Sequence, residues 1–172
     1  MNPPLLHGTD WHGENVAGWI ASEKLNGCRA YFDGWRLWTR QGNAIAAPRW
    51  FTDGLPAMPL DGEIYAGPAG FYAARNAVNY GRFTPQISFR VFDVPETGLP
   101  AEEAIARLQS LRWPDHAAPV AFSRVDSIEA ALAAFRQIFR RGGEGVMLRR
   151  PGSRYAAARV DYLLKLTANT AN

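Results

Sequence analysis

The sequence predicts an α+β domain in which antiparallel sheets are covered by helices on their outer sides. Residues 28–39 indicate a β-hairpin, because two short runs rich in aromatic residues flank the turn signal Asp33-Gly34. Residues 127–141 repeat apolar side chains at helical spacing. Strand-like and helix-like segments mix irregularly along the rest of the chain, without the regular alternation that is typical of a parallel sheet.

The remaining elements of the first half follow from turn residues and apolar spacing. Residues 43–59 contain three prolines, which predicts a loop with a short helical piece. Residues 60–65 predict a strand, and residues 70–80 predict a helix. The apolar face of that helix would consist of Phe71, Ala74 and Val78.

The second half begins with a predicted strand over residues 87–94 and a predicted helix over residues 100–111. One face of the strand would carry Ile87, Phe89 and Val91, and the other Ser88, Arg90 and Phe92. The helix would begin at Pro100, a residue favoured at helix starts. Its apolar stripe would consist of Ala104, Ile105, Leu108 and Leu111.

The helix over residues 127–141 has the clearest boundaries in the sequence. Asp126 and Glu129 predict a capping pair at its start, and Gly142-Gly143 predicts its end. Strands over residues 145–149 and 159–165 should follow.

Composition limits the classes of protein that the chain can represent. Its 172 residues suffice for one domain with a substantial core, and 47% hydrophobic with 20% charged residues is typical of a globular protein. The net charge of +3 permits a nucleic-acid partner without requiring one. The single cysteine excludes an intrachain disulfide, and the three histidines lack metal-ligand spacing. Because we recognise neither a signal peptide nor an apolar segment of membrane-spanning length in the sequence, we expect a cytoplasmic monomer that makes no membrane contact.

The chain has 19 basic residues, but only Lys24 and Lys165 are lysines. Arginine stays protonated in proteins, whereas a partly buried lysine can lose its proton and attack an electrophile. Lys24 is therefore a candidate covalent nucleophile. Lys165 is a candidate to promote the neutral form of Lys24 or to hold a phosphate.

Four polar residues on or beside predicted strands suggest nucleotide chemistry: Lys24, Glu63, Glu144 and Lys165. Each of the first three has a glycine within three residues, which lets backbone or ligand approach closely. Two carboxylates could hold Mg²⁺ while the lysines neutralise phosphate charge. Taken singly, each site is more typical of a turn, a helix end or a solvated strand. Their joint presence favours a shared cleft.

The roles of Phe92 and of several arginines can each be interpreted in two ways. An aromatic side chain on the polar face of its strand could stack on a nucleobase, or both faces of the sheet could simply be covered. Arg29 and Arg40 could bind a phosphate as bidentate forks. A group of arginines near the C-terminus could contact a nucleic-acid backbone or lie on a solvated surface. That group comprises Arg140, Arg141, Arg149, Arg150, Arg154 and Arg159.

The order of these segments resembles the nucleotidyltransferase (adenylation) domain of ATP-dependent DNA ligases, and most closely the minimal bacterial and phage type. Ser22-Glu23-Lys24-Leu25-Asn26-Gly27-Cys28-Arg29 matches the nucleophile motif of that family. The other matching segments are residues 39–43, 60–63, 89–93, 143–149 and 163–166, with further likeness over residues 47–67. The resemblance spans nearly the whole chain in the order of the family.

The resemblance implies an ATP-grasp-like domain of two antiparallel sheets flanked by helices, formed by residues 1–172. It also implies ATP and Mg²⁺ (or Mn²⁺) as cofactors and nicked duplex DNA as partner. Lys24 would attack ATP to give a lysyl-AMP adduct. AMP would then pass to the 5′-phosphate at a nick, and the 3′-hydroxyl would displace it. DNA repair, replication and recombination are alternative pathways for such an activity.

The resemblance also assigns roles to individual residues. The catalytic pair would be Lys24 and Lys165. The nucleotide would be bound by Glu23, Arg29, Arg40, Glu63, Phe92, Glu144 and Lys165. The metal would be held by Glu63 and Glu144, and nucleic acid would be contacted by Arg40, Arg149 and Arg150.

Three departures from the family pattern keep other functions open. Asn26 and Thr167 stand where the family usually has Asp and Lys. The sequence also ends just after the last motif, so we expect no OB-fold domain in it, and a separate DNA-binding protein or domain could supply that part. The alternatives are an RNA ligase, a capping-type nucleotidyltransferase, or a non-catalytic nucleotide- or nick-binding remnant.

Overall fold

The computed structural model describes residues 1–95 and 98–171. Within these ranges the strands are β1 (His7–Asp10), β2 (Ile20–Lys24), β3 (Cys28–Asp33), β4 (Leu37–Thr39), β5 (Pro59–Tyr65), β6 (Ser88–Asp93), β7 (Ala117–Pro119), β8 (Phe122–Arg124), β9 (Gly145–Arg149) and β10 (Arg159–Thr167). The helices are α1 (Arg49–Thr52), α2 (Phe71–Tyr80), α3 (Ala101–Ser110) and α4 (Ile128–Arg140). None of the helices in these ranges is long and apolar enough to cross a membrane.

The strands form two five-stranded sheets. The lysine sheet, which carries both lysines, has the order β1-β10-β9-β2-β8, and the hairpin sheet has the order β4-β3-β5-β6-β7. The predicted α+β class with two sheets and flanking helices is confirmed. The sheets are mixed rather than purely antiparallel, because β1 pairs parallel with β10 and β7 pairs parallel with β6. These strands reach their partners through long connections instead of hairpins.

Helices α1, α2 and α3 cover one face of the hairpin sheet. Phe51 of α1 is completely buried, and α2 buries Ala74 and Ala77 against the sheet. On β6, Phe89 and Val91 belong to this core. Because side chains alternate along a strand, the intervening residues of β6 point to the opposite face.

Helix α4 covers one face of the lysine sheet. It buries Ala131, Phe135 and Ile138 against a group of strand side chains. That group includes Val146 and Leu148 of β9 and Leu164 and Leu166 of β10. Burying one large apolar side chain contributes about 1.5–3 kcal/mol, so this packing fixes the registry of the central strands. The alternate residues of β9 and β10, including Lys165, face away from α4.

Two predicted details differ from the structure. The start of α4 is capped by Ser127, whose hydroxyl accepts a hydrogen bond from the Ala130 N–H at 3.0 Å, and not by the predicted Asp126 with Glu129. The turn of the first hairpin lies one residue later than expected. Its central residues are Gly34 and Trp35, because the Asp33 N–H donates to the Arg36 carbonyl at 3.1 Å.

Candidate active site

The faces of the two sheets that are free of helices enclose a cleft of about 460 Å³. Most of the predicted site residues line it: Glu23, Lys24, Arg29, Arg40, Glu63, Phe92, Glu144, Arg149 and Lys165. Arg150 is the predicted site residue that is not among its lining residues. The fold therefore brings together side chains that are up to 142 positions apart in the sequence.

Lys24 lies at the end of β2 with its ammonium facing Glu144. Its Nζ donates a hydrogen bond to Glu144 Oε1 within an ion pair. Register explains the contact, because Lys24 lies opposite Gly145 in the β2–β9 pair. A side chain at Gly145 would overlap the Leu166 carbonyl of β10, so glycine is required for this close approach of strands.

Glu63 is held in the cleft by the loop that follows Lys24. Its Oε1 accepts a hydrogen bond from the Gly27 N–H at 3.1 Å. A methyl group on Gly27 would overlap the Ile64 carbonyl and the Glu63 side chain, which accounts for glycine at this position. Burial raises the pKa of Glu63 to about 7, against the opposing effect of the Gly27 hydrogen bond and the nearby cations. The carboxyl therefore changes its charge close to neutral pH.

Arg29 takes part in a hydrogen-bond network that the sequence did not predict. Its Nε and Nη2 donate to the two Asp61 oxygens at 3.0 and 2.6 Å, and Asp61 is fully buried. The Tyr155 hydroxyl donates to Asp61 Oδ2 at 2.6 Å and accepts from the Leu6 N–H at 3.1 Å. Burial disfavours the charge on Arg29, but Asp61 outweighs that effect and raises the pKa of Arg29. Arg29 is therefore a firmly held cation.

Lys165 lies on β10 with its ammonium 2.8 Å from Asp10 Oδ1. Asp10 belongs to β1 and is a further lining residue of the cleft that sequence reasoning missed. The hydrogen bond from Lys165 lowers the pKa of Asp10. Thr167, two residues along the same strand, also lines the cleft and adds no charge.

The aromatic and apolar wall of the cleft includes Phe92 on one sheet and Met147 on the other. The Arg29 guanidinium lies 5.4 Å from the centroid of the Phe92 ring. Phe92 thus has its ring on the cleft side of β6, where a flat ligand could lie between the two sheets.

Glu23 and Arg40 lie at the edges of the cleft. The Glu23 carboxylate accepts a hydrogen bond from Arg141 Nη2 at 2.6 Å, which holds it beside the end of α4. Arg40 is exposed after β4, at the rim.

The two arginines predicted to contact nucleic acid occupy different settings. Arg149 is 9% exposed and forms an ion pair with Asp93, which is buried. The prediction of a nucleic-acid contact does not fit this geometry, because the sequence reveals the charge of Arg149 but not its burial. Arg150 is half exposed, 3.8 Å from Asp161, and its guanidinium lies 5.4 Å from the Trp19 ring centroid.

Comparison with known proteins supports the resemblance seen in the sequence. No family model matches the chain. It is 30% identical over 167 residues to a DNA ligase of Haemophilus influenzae, covering 94% of the chain and 62% of that relative. A solved structure of a Lig E DNA ligase, described as binding DNA with a minimal scaffold, superposes with a TM-score of 0.88 at 29% identity. That match covers 97% of this chain and 69% of the other.

The chain is similar to these DNA ligases over nearly its whole length and has the fold of a DNA ligase nucleotidyltransferase domain. The adenylate complex of Chlorella virus DNA ligase has the same fold, with a TM-score of 0.81 at 22% identity over 97% of this chain and 69% of that one. The predicted resemblance is therefore confirmed. The chain spans about 62% of the length of the curated relative.

A magnesium ion would find carboxylate ligands on two sides of this ligase-type cleft. No cluster of three or more His, Cys, Asp or Glu side chains suited to a metal occurs among residues 1–95 and 98–171. Mg²⁺ commonly keeps several waters and takes only one or two carboxylates together with substrate phosphates. Glu63 and Glu144, which both line the cleft, fit that pattern.

The two departures from the ligase motif lie in different surroundings. Asn26 is exposed in the loop between β2 and β3, whereas Thr167 faces the cleft beside Lys165. Because Thr167 stands where the family pattern has a lysine, the cleft carries one positive charge less at this position. Asn26 changes the charge of an exposed loop next to Lys24.

Proposed function

We propose that the chain is the catalytic domain of an ATP-dependent DNA ligase that seals nicks through a lysyl-AMP intermediate on Lys24. The observation that carries this proposal is the convergence of Lys24, Glu63, Glu144 and Lys165 on one cleft of the ligase fold. The relatives that support it are named DNA ligases.

In the first step, Lys24 Nζ attacks the α-phosphorus of ATP. A nitrogen–phosphorus bond forms, the bond from the α-phosphorus to the bridging oxygen breaks, and pyrophosphate leaves. Nζ must give up its proton for this attack, and the Glu144 carboxylate, which already accepts a hydrogen bond from Nζ, is in place to receive it. Glu144 holds Nζ in the cleft through the ion pair, so the nucleophile is oriented before ATP arrives.

The remaining lining residues bind the nucleotide. Phe92 would stack on one face of the adenine ring, and Met147 of the opposite sheet would contact the other face. Glu23 would also bind the nucleotide. Lys165, Arg29 and Arg40 would bind phosphate.

Glu63 and Glu144 would hold Mg²⁺ or Mn²⁺, and the metal supplies charge neutralisation at the phosphates when bound. The same two carboxylates would orient the ribose of the nucleotide. Because phosphoryl transfer relies mainly on positioning and charge, a cleft built in this way suits the reaction.

The second and third steps act on DNA. The 5′-phosphate oxygen at a nick attacks the phosphorus of the Lys24 adduct, which frees the amine and gives an adenylated DNA end. The 3′-hydroxyl then attacks the 5′-phosphorus and releases AMP. Arg40 at the rim of the cleft and Arg150 outside it would contact the DNA backbone.

The first test is to incubate the protein with ATP and Mg²⁺ and to measure an AMP adduct by intact mass, with peptide mapping of its position. We expect an adduct on Lys24, none in Lys24→Ala, and one of reduced amount in Lys165→Ala. An adduct that persists in Lys24→Ala would exclude Lys24 as nucleophile. Sealing of a nicked duplex by the adenylated protein is then the test for ligase activity, with an RNA nick and GTP as comparisons for the two related activities.

The same assay separates a non-catalytic nick-binding protein from the enzyme. Thr167 and Asn26 are the observations that favour that alternative, since both alter charge around the nucleophile. A protein that binds nicked DNA but forms no adduct and seals no pre-adenylated nick would be such a module.

A further inference from the structure

Asp10 and Lys165 form an ion pair at the opening of the cleft. Strand β1 runs parallel to β10, and a register shift between Gly8 and Thr9 places Asp10 opposite Lys165. The Asp10 Oδ1 and Lys165 Nζ atoms are 2.8 Å apart, and 53% of the Asp10 side chain is exposed. The sequence shows no local signal for this contact, because the partners lie 155 positions apart.

The backbone that follows Asp10 is anchored to β10. The Trp11 N–H donates to the Lys165 carbonyl at 3.0 Å. The backbone next to Asp10 is therefore hydrogen-bonded to the residue that carries the ammonium. Trp11 is buried in the core beneath α4, and its indole N–H donates to the Glu14 carbonyl at 3.0 Å. The backbone that carries the Asp10 carboxylate is therefore fixed beside Lys165.

The Asp10 carboxylate differs from the two aspartates that pair with arginines of the cleft. Asp61 and Asp93 are buried, and they form ion pairs with Arg29 and Arg149. Asp10 is exposed and pairs with a lysine proposed to bind phosphate. Thr167 offers no second ammonium at this end of β10. A phosphate that binds the Lys165 ammonium therefore competes with Asp10 for it.

We propose that Asp10 is a positioning residue that holds Lys165 in the nucleotide-free cleft and competes with the phosphates of the nucleotide for its ammonium. This inference rests on the proposed function, since it assumes that ATP occupies the cleft. The pair is partly exposed and screened by solvent, so a polyphosphate can displace the carboxylate.

The experiment compares nucleotide affinities in a Lys24→Ala background, which prevents turnover. Calorimetry would give the Kd of ATP and of adenosine for the background protein and for added Asp10→Asn, Asp10→Glu or Asp161→Asn. Asp161 is the matched control, because it is an exposed, ion-paired aspartate on the same β10 strand outside the cleft. We expect Asp10→Asn to bind ATP roughly threefold to tenfold more tightly. Adenosine affinity should not change, and Asp10→Glu should return ATP affinity towards the background value.

Salt concentration offers a second check on the same proteins. The gain in ATP affinity from Asp10→Asn should shrink as ionic strength rises, because screening weakens the repulsion between carboxylate and phosphate. Asp161→Asn should leave ATP affinity unchanged at each salt concentration. A structural loss at β1 would instead weaken ATP and adenosine binding together.

Lysine-selective isotope labelling gives a readout that does not depend on affinity. The chain has two lysines, so the Lys24→Ala protein shows a single lysine side-chain signal in a carbon–proton NMR spectrum. We expect this Lys165 signal to shift in Asp10→Asn and to shift again when ATP is added. In Asp161→Asn it should stay in place.

The outcomes separate this inference from the proposed function. Equal or weaker ATP binding by Asp10→Asn, with ATP binding intact in the background protein, would overturn the role of Asp10 alone. A protein that binds no ATP and forms no AMP adduct would contradict the proposed function and the role of Asp10 together.

Discussion

Arg149 of β9 forms a buried ion pair with Asp93 of β6, and this contact joins the lysine sheet to the hairpin sheet across the cleft. Arg149 also donates to the hydroxyl and the carbonyl of Ser153 at 3.2 and 3.4 Å. Burial raises the pKa of Asp93, and the charge of Arg149 opposes that effect. Each ion is therefore tolerated in the interior because the other is present.

Breaking this pair should destabilise the whole domain. Arg149→Met leaves the Asp93 carboxylate buried without a counter-charge, and we expect a loss of about 3–5 kcal/mol in the free energy of unfolding. Urea unfolding measures this loss. The double variant Asp93→Asn with Arg149→Met should lose less than the sum of the single variants, because the two residues are coupled. Arg150→Met is the control, since that arginine is half exposed, and it should change stability by about 1 kcal/mol or less.

The start of α4 gives a prediction about a single hydroxyl. Ser127→Ala removes the acceptor for the Ala130 N–H and should lower stability by about 1 kcal/mol. Asp126→Ala, one residue earlier, should change stability by less than half of that, because the structure gives Asp126 no capping role. Thermal unfolding of the two variants side by side tests the assignment, and a larger loss in Asp126→Ala would reverse it.

Much of the site could be predicted because its residues carry local signals. Lys24, Glu63 and Glu144 each lie within three residues of a glycine that the close packing of strands requires, and the two lysines are conspicuous because the other basic residues are arginines. The alternation along β6 likewise predicts Phe92 on the face opposite Phe89 and Val91, and this face lies towards the cleft.

The missed residues depend on contacts that leave no local pattern. Asp10 meets Lys165 through a register shift in a four-residue strand, and Tyr155 reaches Asp61 across 94 positions. Such pairs form only when distant strands meet, so no periodicity or turn signal reports them. Arg149 shows the converse case, because a cluster of charges in the sequence says nothing about which member is buried.

Glu63 should make stability depend on pH. Burial raises the pKa of this carboxyl from its ordinary 4.5 to about 7, so the folded state binds more protons than the unfolded state between those values. Stability contributed by Glu63 is therefore present below about pH 4.5 and is lost as pH rises to about 7. Its full size is on the order of 3 kcal/mol. Glu63→Gln should lack this dependence.

Thermal or urea unfolding from pH 4.5 to pH 8 measures the effect as the difference between wild type and Glu63→Gln. We expect Glu63→Gln to gain stability relative to wild type as pH rises through this window. Glu129→Gln on the exposed side of α4 is the control and should follow the wild-type profile. A constant difference between wild type and Glu63→Gln would show that the carboxyl is already ionised throughout the window.

Arg40 offers a test of how DNA reaches the cleft. It lies exposed at the rim, where a backbone phosphate of a nicked duplex can meet its guanidinium without moving the protein. Each phosphate neutralised by a basic side chain releases counterions and contributes about 0.9 to the slope of log affinity against log salt. Arg40→Ala should therefore bind nicked DNA more weakly and with a slope that is smaller by about that amount.

The matched control for Arg40→Ala is Arg49→Ala, which removes the same charge from a different side of the domain. Arg49 is 92% exposed on α1, and α1 packs on the face of the hairpin sheet opposite the cleft. Fluorescence anisotropy with a nicked duplex over a series of salt concentrations gives both slopes. If DNA lies over the cleft, only Arg40→Ala should change the slope, because a charge behind the hairpin sheet is too far from the duplex to release its counterions. Equal changes in the two variants would mean that the duplex senses only the net charge of the protein, and the cleft would then not be its docking face.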